Sequence, residues 1–388
     1  MTDATVVTEP GLIVIGSGPA GVGAAEAFRK ERADVPVLIL TADADEPYER
    51  PPLSKEFLRG ETDDVFLHPA DWFTERDLEL TTNAPVSEID VQAHTVTAAG
   101  SRYEYRHLIL ACGASPTPLP VPGGELALQL RSLQDAKRLR AAAEGARSAV
   151  VIGAGFIGCE AAASLAVKGL SVTLVAPEQL PQEKRLGADA GTKLVSLIEG
   201  AGAEFSGGVG VRALRAGEVE LDNGVTLSAD LIVAATGVKP NSTLADAAGL
   251  TLTESRISVD AGMQTERPDV YAAGDVALAF NATAGRQIVV EHWQDAAGQG
   301  AVAGARAAGA DVEWADVPGF WSTIGDATLK YHAWGDGYEN SRMTDRGEGF
   351  TVWYEAGGAT VAVLTCNADD DYELGESLIR ARKPAPGQ

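Results

Sequence analysis

Two glycine clusters, each trailing an apolar strand and opening a run of small residues, constrain this chain more than any other feature. Leu12-Ile-Val-Ile15 leads into Gly16-Ser-Gly18-Pro-Ala-Gly21, and Ala149-Val-Val-Ile152 leads into Gly153-Ala-Gly155-Phe-Ile-Gly158. Both carry the G-x-G-x-x-G pattern of a strand–turn–helix unit. The first glycine permits a sharp turn, the second lets backbone N–H groups approach a pyrophosphate, and the third lets helix and strand pack closely. The exposed N–H groups and positive end of a helix then favour phosphate. One such match is weak evidence, because glycine-rich turns are common. Two in the same context imply two dinucleotides on one polypeptide, an arrangement suited to electron transfer between them.

The repetition extends past the glycines. Val37-Leu-Ile-Leu40 reads as the next strand of the first unit, and Ser171-Val-Thr-Leu-Val175 plays the same part in the second. Each half later shows short strands, a turn and an apolar strand ending in glycine: Leu108 to Gly113 in one, and Leu231 to Gly237 after the hairpin signal Asp222-Asn-Gly224 in the other. Proline-dense Ser115 to Pro122 marks the exit from the first domain, and Val238-Lys-Pro-Asn241 the exit from the second. Val270-Tyr-Ala-Ala-Gly-Asp275 and a helix from Gln294 to Ala308 return to the first domain. From about residue 312 short strands, a Gly357-Gly358 hairpin and a helix from Tyr372 to Arg382 take over. The expected fold is α/β: two Rossmann-like dinucleotide-binding domains and a small α+β C-terminal domain. The expected boundaries are 1–115 and 242–311 for the first, 116–241 for the second and 312–388 for the third.

Composition narrows the partners. The net charge of −24 disfavours nucleic acid and anionic membrane surfaces. Cys112, Cys159 and Cys366 lie far apart without a C-x-x-C, which fits a reducing cytosol and argues against a disulfide scaffold or a zinc site. His68, His94, His107 and His332 are scattered, so no metal is expected. Met1 to Thr5 lacks a basic leader, and no run approaches the ~20 apolar residues of a membrane span. A cytoplasmic protein is expected, monomeric or homodimeric.

Tyr48-Glu-Arg-Pro-Pro-Leu-Ser-Lys55, Gly158-Cys-Glu160, Ala235-Thr-Gly237, Tyr271-Ala-Ala-Gly-Asp275, Glu291-His-Trp293 and Phe320-Trp321 complete a pattern over nearly the whole chain. It resembles the FAD-dependent NAD(P)H:ferredoxin reductases of bacterial oxygenase and P450 systems, which share their fold with apoptosis-inducing factor. The resemblance implies FAD on the first domain, NAD(P)H on the second, and a C-terminal domain that helps shape the surface for a ferredoxin-like iron–sulfur acceptor.

For individual residues it implies the following. Gly16, Gly18, Pro19, Ala20 and Gly21 cradle the FAD pyrophosphate, and Gly274-Asp275 anchors the ribityl or phosphate region; a plain tight turn and a helix N-cap are the alternatives. The acid that grips the adenosine ribose falls ~20 residues past the motif, which lands on Thr41 with Asp43 next; a solvated loop charge is the alternative for Asp43. Arg50 lies in the segment that ends at Lys55. Ala111, Gly113 and Gly237 sit in structural turns that bring chain crossovers close to the cofactors. Lys55 and Glu160 meet at the flavin N5 edge, the cation stabilising charge on the reduced ring and the carboxylate holding the cation. Taken separately, they are a surface lysine and a helix-start charge. Glu291, His292 and Trp293 open a helix aimed at flavin N1 and O2, with Trp293 on the ring or in the core. Trp321 is a ring contact or electron exit, or else core.

Gly153, Gly155, Phe156, Ile157 and Gly158 hold the NAD(P)H pyrophosphate. Ala176 stands where NAD enzymes place a ribose-binding acid; Glu178 substitutes for it, while Lys184 and Arg185 offer themselves to a 2′-phosphate. NADH is favoured over NADPH. Alternatives to ferredoxin reduction are an NADH oxidase, a disulfide or peroxide reductase, for which the Pro47–Pro52 stretch lacks the cysteine, and a redox-responsive binding protein like apoptosis-inducing factor. An acidic chain needs a local basic patch to dock an acidic ferredoxin; Arg380, Arg382 and Lys383, or Lys137, Arg138 and Arg140, are the choices.

Overall fold

The structure, a computed structural model, describes residues 6–7 and 11–387. The Met1–Thr5 stretch read above as lacking a leader lies outside them. Among the elements that frame the site, the chain first runs through β1 (Leu12–Ile15), α1 (Pro19–Glu31), β2 (Val37–Leu40), β3 (Leu78–Thr81) and β4 (His107–Leu110). It continues through α2 (Leu133–Gly145), β5 (Ser148–Ile152), α3 (Phe156–Val167), β6 (Ser171–Ala176), α4 (Glu183–Gly200), β7 (Ala203–Gly207) and β8 (Leu231–Ala234). Next come β9 (Val270–Ala272) and α5 (Trp293–Ala307). The end of the chain forms β10 (Gly319–Ile324), β11 (Ala327–Ala333), β12 (Asn340–Asp345), β13 (Phe350–Ala356), β14 (Ala359–Cys366) and α6 (Asp369–Ala381).

These elements gather into two compact units. The first contains the chain up to Glu49, Phe66–Ser115 and Pro240–Gly319. The second contains Arg50–Val65, Pro116–Lys239 and the chain from Phe320 onward.

In the first unit a parallel sheet has the order β9-β4-β1-β2-β3. Every residue of β1 and β2 is buried, as continuous apolar runs require when both faces of a parallel sheet are covered. Val86–Asp90, Thr95–Ala98 and Ser101–Glu104 form an antiparallel sheet beside it. Helices α1 and α5 touch backbone to backbone. A Cβ on Gly300 would stand 2.0 Å from the Ala20 carbonyl oxygen, and one on Gly304 would stand 2.0 Å from that of Ala24. Small residues four apart on both helices make this approach possible, and it fixes α1, whose first turn belongs to the glycine cluster.

The second unit repeats the design. Its parallel sheet runs from the short strand Leu128–Gln129 through β8-β5-β6-β7, so the last, first, second and third strands of the repeat sit in the same order as in the first unit. The C-terminal sheet is antiparallel, ordered β10-β11-β14-β13-β12. One core joins it to the nucleotide-binding layer: Val151, Leu165, Leu174, Leu194 and Val233 cluster with Leu329, Val352, Tyr354 and Leu364. Leu58 belongs to the same core, which explains why residues 50–65 fold with this unit. At the start of α2, Ser132 and Asp135 form a reciprocal capping box.

Because Gly300 has no room and Gly298 on the same helix has nothing within 4 Å of its missing Cβ, the two glycines respond oppositely to substitution. Gly300→Val should cost about 3 kcal/mol or more through forced separation of the helices. Gly298→Ala should gain up to about 1 kcal/mol from helix propensity. Paired denaturant melts measure both.

Candidate active site

The glycine clusters form matching cradles. Gly16 turns at φ +108°, and a Cβ there would lie 2.3 Å from the Ala111 carbonyl oxygen; Gly153 turns at φ +103°, with 2.4 Å to that of Ala235. In each cluster the third glycine presses on the first: Cβ atoms on Gly21 and Gly158 would stand 1.9 Å from the Gly16 and Gly153 carbonyl oxygens. Both helices then begin without a side-chain cap and without an acid in the first turn. A Cβ on Gly18 would meet nothing within 4 Å, and one on Gly155 only the Gln182 amide nitrogen at 3.8 Å. Open space at the second glycine and unclaimed helix N–H groups are what an incoming phosphate needs. The residues present therefore fit a dinucleotide at each cradle.

A further observation supports the first cradle. Gln299 on α5 is fully buried; its Oε1 accepts the Gly274 N–H at 2.9 Å, yet its Nε2 has no acceptor among the described residues. This unpaired donor sits against the Gly274–Asp275 turn, where Asp275 is 8% exposed. A buried donor without a partner is costly, and a ligand rich in acceptors relieves it. Gln299 escaped sequence reasoning because a single glutamine inside a helix carries no pattern. Asp43 is not the solvated loop charge weighed above: Tyr48 donates to its Oδ2 at 2.8 Å and the Asp45 N–H to its Oδ1 at 3.2 Å. Ala111 is buried, and Gly113 turns at φ +63°.

At the start of α5, Trp293 is half-buried and Glu291 pairs with Arg256. The buried Asp295 lies in the first turn, 2.8 Å from His292 Nδ1 and accepting the Gly319 N–H at 3.2 Å. That carboxylate offsets part of the positive helix end which the sequence alone offers to a flavin.

In the second unit, Lys55 and Glu160 meet. Arg50 precedes a short 3₁₀ turn, Pro51–Ser54, which places Lys55 against α3. Ser164 Oγ on α3 donates to the Ser54 carbonyl at 2.8 Å, and Arg140 on α2 braces the segment through Asp63 at 2.6 Å. Lys55 Nζ donates to Glu160 Oε2 at 3.1 Å, with the two side chains 6% and 3% exposed. Ser54 Oγ also donates to Oε2, while Ser322 Oγ on β10 donates to Oε1 at 2.7 Å. Neither alternative reading of the pair holds: Lys55 is not a surface residue, and Glu160 is the fifth residue of α3, past the turn where a free charge favours the helix dipole. Lys55 Nζ has no second acceptor among the described residues, so two of its N–H bonds remain available. Ser54 and Ser322 were not singled out in the sequence, although Ser54 stands inside a quoted motif and Ser322 directly follows one.

Around the second cradle, Ala176 is fully buried at the end of β6, and Glu178 is half-buried, its carbonyl accepting the Gly208 N–H at 2.9 Å. Lys184 and Arg185 are both exposed, and Arg185 lies over the Phe320 and Tyr331 rings, 5.1 and 5.2 Å from their centroids. Phe320 in turn meets Phe156 edge-on at 4.8 Å. Gly237 turns at φ +91°. Trp321 is 40% exposed, which removes the core-packing alternative: neighbours on a strand face opposite ways, and Phe320 and Ser322 take the inward positions. Of the proposed basic patches, Arg138, Arg140 and Arg380 each pair with a nearby carboxylate.

Comparison with known proteins agrees with this geometry. The profile of the family described as pyridine nucleotide-disulphide oxidoreductase matches residues 10–300. The chain is 34% identical to the ferredoxin–NAD(+) reductase component of the anthranilate 1,2-dioxygenase system of Burkholderia cepacia, covering 97% of this chain and 96% of that one. Among solved structures, it matches the ferredoxin reductase for the CYP199A2 system from Rhodopseudomonas palustris with a TM-score of 0.91 and 30% identity, over 97% and 96% of the two chains. The covalent putidaredoxin reductase–putidaredoxin complex gives a TM-score of 0.91 at 27% identity, over 98% and 94%.

The thiols are not arranged for disulfide chemistry. Burial pushes Cys112 up to about 12 and raises Cys159 and Cys366 as well, Glu160 adding to the effect on Cys159. All three are free cysteines. At pH 8 Cys112 is then thiolate in only about one part in ten thousand. Alkylation of the folded protein by iodoacetamide should be negligible there and rise about tenfold per pH unit; mass spectrometry of the labelled chain reads this directly.

Proposed function

Because the chain belongs to the pyridine nucleotide-disulphide oxidoreductase family, we infer that it is an FAD-dependent NAD(P)H oxidoreductase of the ferredoxin-reductase type, delivering electrons to a small iron–sulfur protein. The observation that carries this reading is the duplicated cradle, two dinucleotide sites of the same strand order in one chain. FAD, when bound, supplies a ring that accepts an electron pair from a nicotinamide and releases it one electron at a time.

The chain's own residues do the rest. Gly16, Gly18 and Gly21 with Gly274, Asp275 and Gln299 would hold FAD, and Gly153, Gly155 and Gly158 would hold the nicotinamide coenzyme. From the family resemblance, the role proposed for the buried ammonium of Lys55 is to stabilise charge on the reduced flavin. Glu160 holds that ammonium in place. No residue here needs to move a proton. Segments 1–115 and 242–311 are proposed for FAD, apart from residues 50–65, which fold with the second unit; 116–241 is proposed for NAD(P)H and 312–388 for the acceptor side, with the exposed Trp321 as an exit. No described helix is long and apolar enough to cross a membrane, and the absence of disulfides among the described residues suits a reducing cytoplasm.

The purified protein should be yellow, bleach with NADH under anaerobic conditions, and recover its colour on adding an oxidised [2Fe–2S] ferredoxin. Colourless folded protein that takes up no FAD would end the proposal. Lys55→Met should slow flavin reduction in a stopped-flow instrument by at least about tenfold, roughly 1.4 kcal/mol of barrier, while the bound-flavin spectrum persists. With Glu178 half-buried just past β6, kcat/KM should be higher for NADH than for NADPH, and Glu178→Gln should narrow the gap.

A further inference from the structure

Helix α4 is interrupted near its start. Gln182, which precedes it, sits at φ +56°, and Gly187 inside it turns at φ +82° and ψ 172°. The first is a left-handed conformation uncommon for any residue with a Cβ, and the second is open essentially to glycine alone. Between them Glu183–Leu186 make one turn of their own. The Arg185 and Leu186 N–H groups both donate to the Gln182 carbonyl, at 2.9 and 2.8 Å. Two such conformations bracketing a single turn persist only where the surrounding structure holds them.

The C-terminal sheet supplies that hold. Tyr354 on β13, fully buried, donates its hydroxyl to the Leu186 carbonyl at 2.8 Å. Burial raises this phenol well above its ordinary range, so it remains a donor at any working pH. Tyr338 packs on Tyr354 with ring centroids 4.8 Å apart, and a Cβ on Gly187 would stand 2.5 Å from the Tyr338 hydroxyl oxygen.

What the turn presents is the Gln182 amide. Its Nε2 donates at 3.4 Å to the carbonyl of Ala154, inside the second glycine cluster. The same nitrogen lies 3.8 Å from where a Cβ on Gly155 would stand, so it borders the space that the second glycine leaves open for phosphate. Gln182 is half-buried, and its contact with Ala154 is long for a hydrogen bond and is given up at little cost. Its other amide N–H has no acceptor among the described residues.

We propose that Gln182 is a binding residue of the second cradle, its amide donating to the pyrophosphate of the nicotinamide coenzyme, and that Tyr354 is a positioning residue that holds it there through the Leu186 carbonyl. This rests on the reading of Gly153–Gly158 as a dinucleotide site, and every residue it uses lies in the second unit. Because NADH and NADPH carry the same pyrophosphate, Gln182 strengthens binding of both without choosing between them.

The test titrates the FAD-loaded protein calorimetrically with ADP-ribose, which carries the pyrophosphate but no nicotinamide, so no electron transfer enters the readout. Gln182→Met keeps the length of the side chain and removes the donor; it is expected to bind about tenfold more weakly. Gln182→Glu sets a carboxylate beside the phosphates and binds more weakly still. Tyr354→Phe is expected to lose about threefold in the otherwise unchanged chain and nothing further in the Gln182→Met background. An unchanged affinity in Gln182→Met, a Gln182→Glu variant that binds as tightly as the parent, or equal losses from Tyr354→Phe in both backgrounds overturns the proposal. If the unsubstituted protein takes up no ADP-ribose, the reading of the second cradle falls and this one with it; if it binds and Gln182→Met binds equally well, this inference alone fails.

Discussion

A buried carboxylate organises the second unit. Removing a charge such as that of Glu160 from water costs several kcal/mol, and the protein offsets it with two hydroxyls and an ammonium drawn from two separate stretches of chain. Those stretches are the Pro51–Ser54 turn with Lys55 and strand β10, and neither can shift from helix α3 without stranding the charge. Loss of one partner from a buried ion pair typically costs about 3–5 kcal/mol, more than enough to hold the segment 50–65 against α3. The same energetics that fix the fold there also fix where a positive charge is presented.

The two cradles depend on a different resource, the absence of side chains. Where a strand turns into a helix, the Ala111 and Ala235 carbonyls press against Gly16 and Gly153 so closely that any Cβ would collide. The phosphate positions lie at the carboxyl ends of parallel strands, the general location of ligand sites in open α/β sheets. Having the same strand order twice means the same turn is built twice, and the chain needs no second solution for its second coenzyme.

Much of this was readable from residues alone. Glycine spacing marked both cradles, and fully apolar runs such as Leu12–Ile15 and Val37–Leu40 marked the central strands, because β-strands buried on both faces have no polar positions. What the sequence hid were single polar residues whose meaning is entirely tertiary. Ser322, Ser54 and Gln299 are ordinary types in ordinary places, and only the fold shows which acceptor each one reaches. Membership of residues 50–65 in the second unit was also hidden, since it rests on Leu58 entering a core assembled from distant segments. The final helix begins at Asp369, ahead of the expected Tyr372, because Asp369, Asp370 and Asp371 look like loop in sequence yet favour the positive start of a helix.

Flavins brought to the reduced state react with oxygen, and the product is peroxide, which attacks thiolates far faster than thiols. Burial raises the thiols of all three cysteines above their ordinary values, so this chain presents fewer thiolates to such an oxidant than exposed cysteines would.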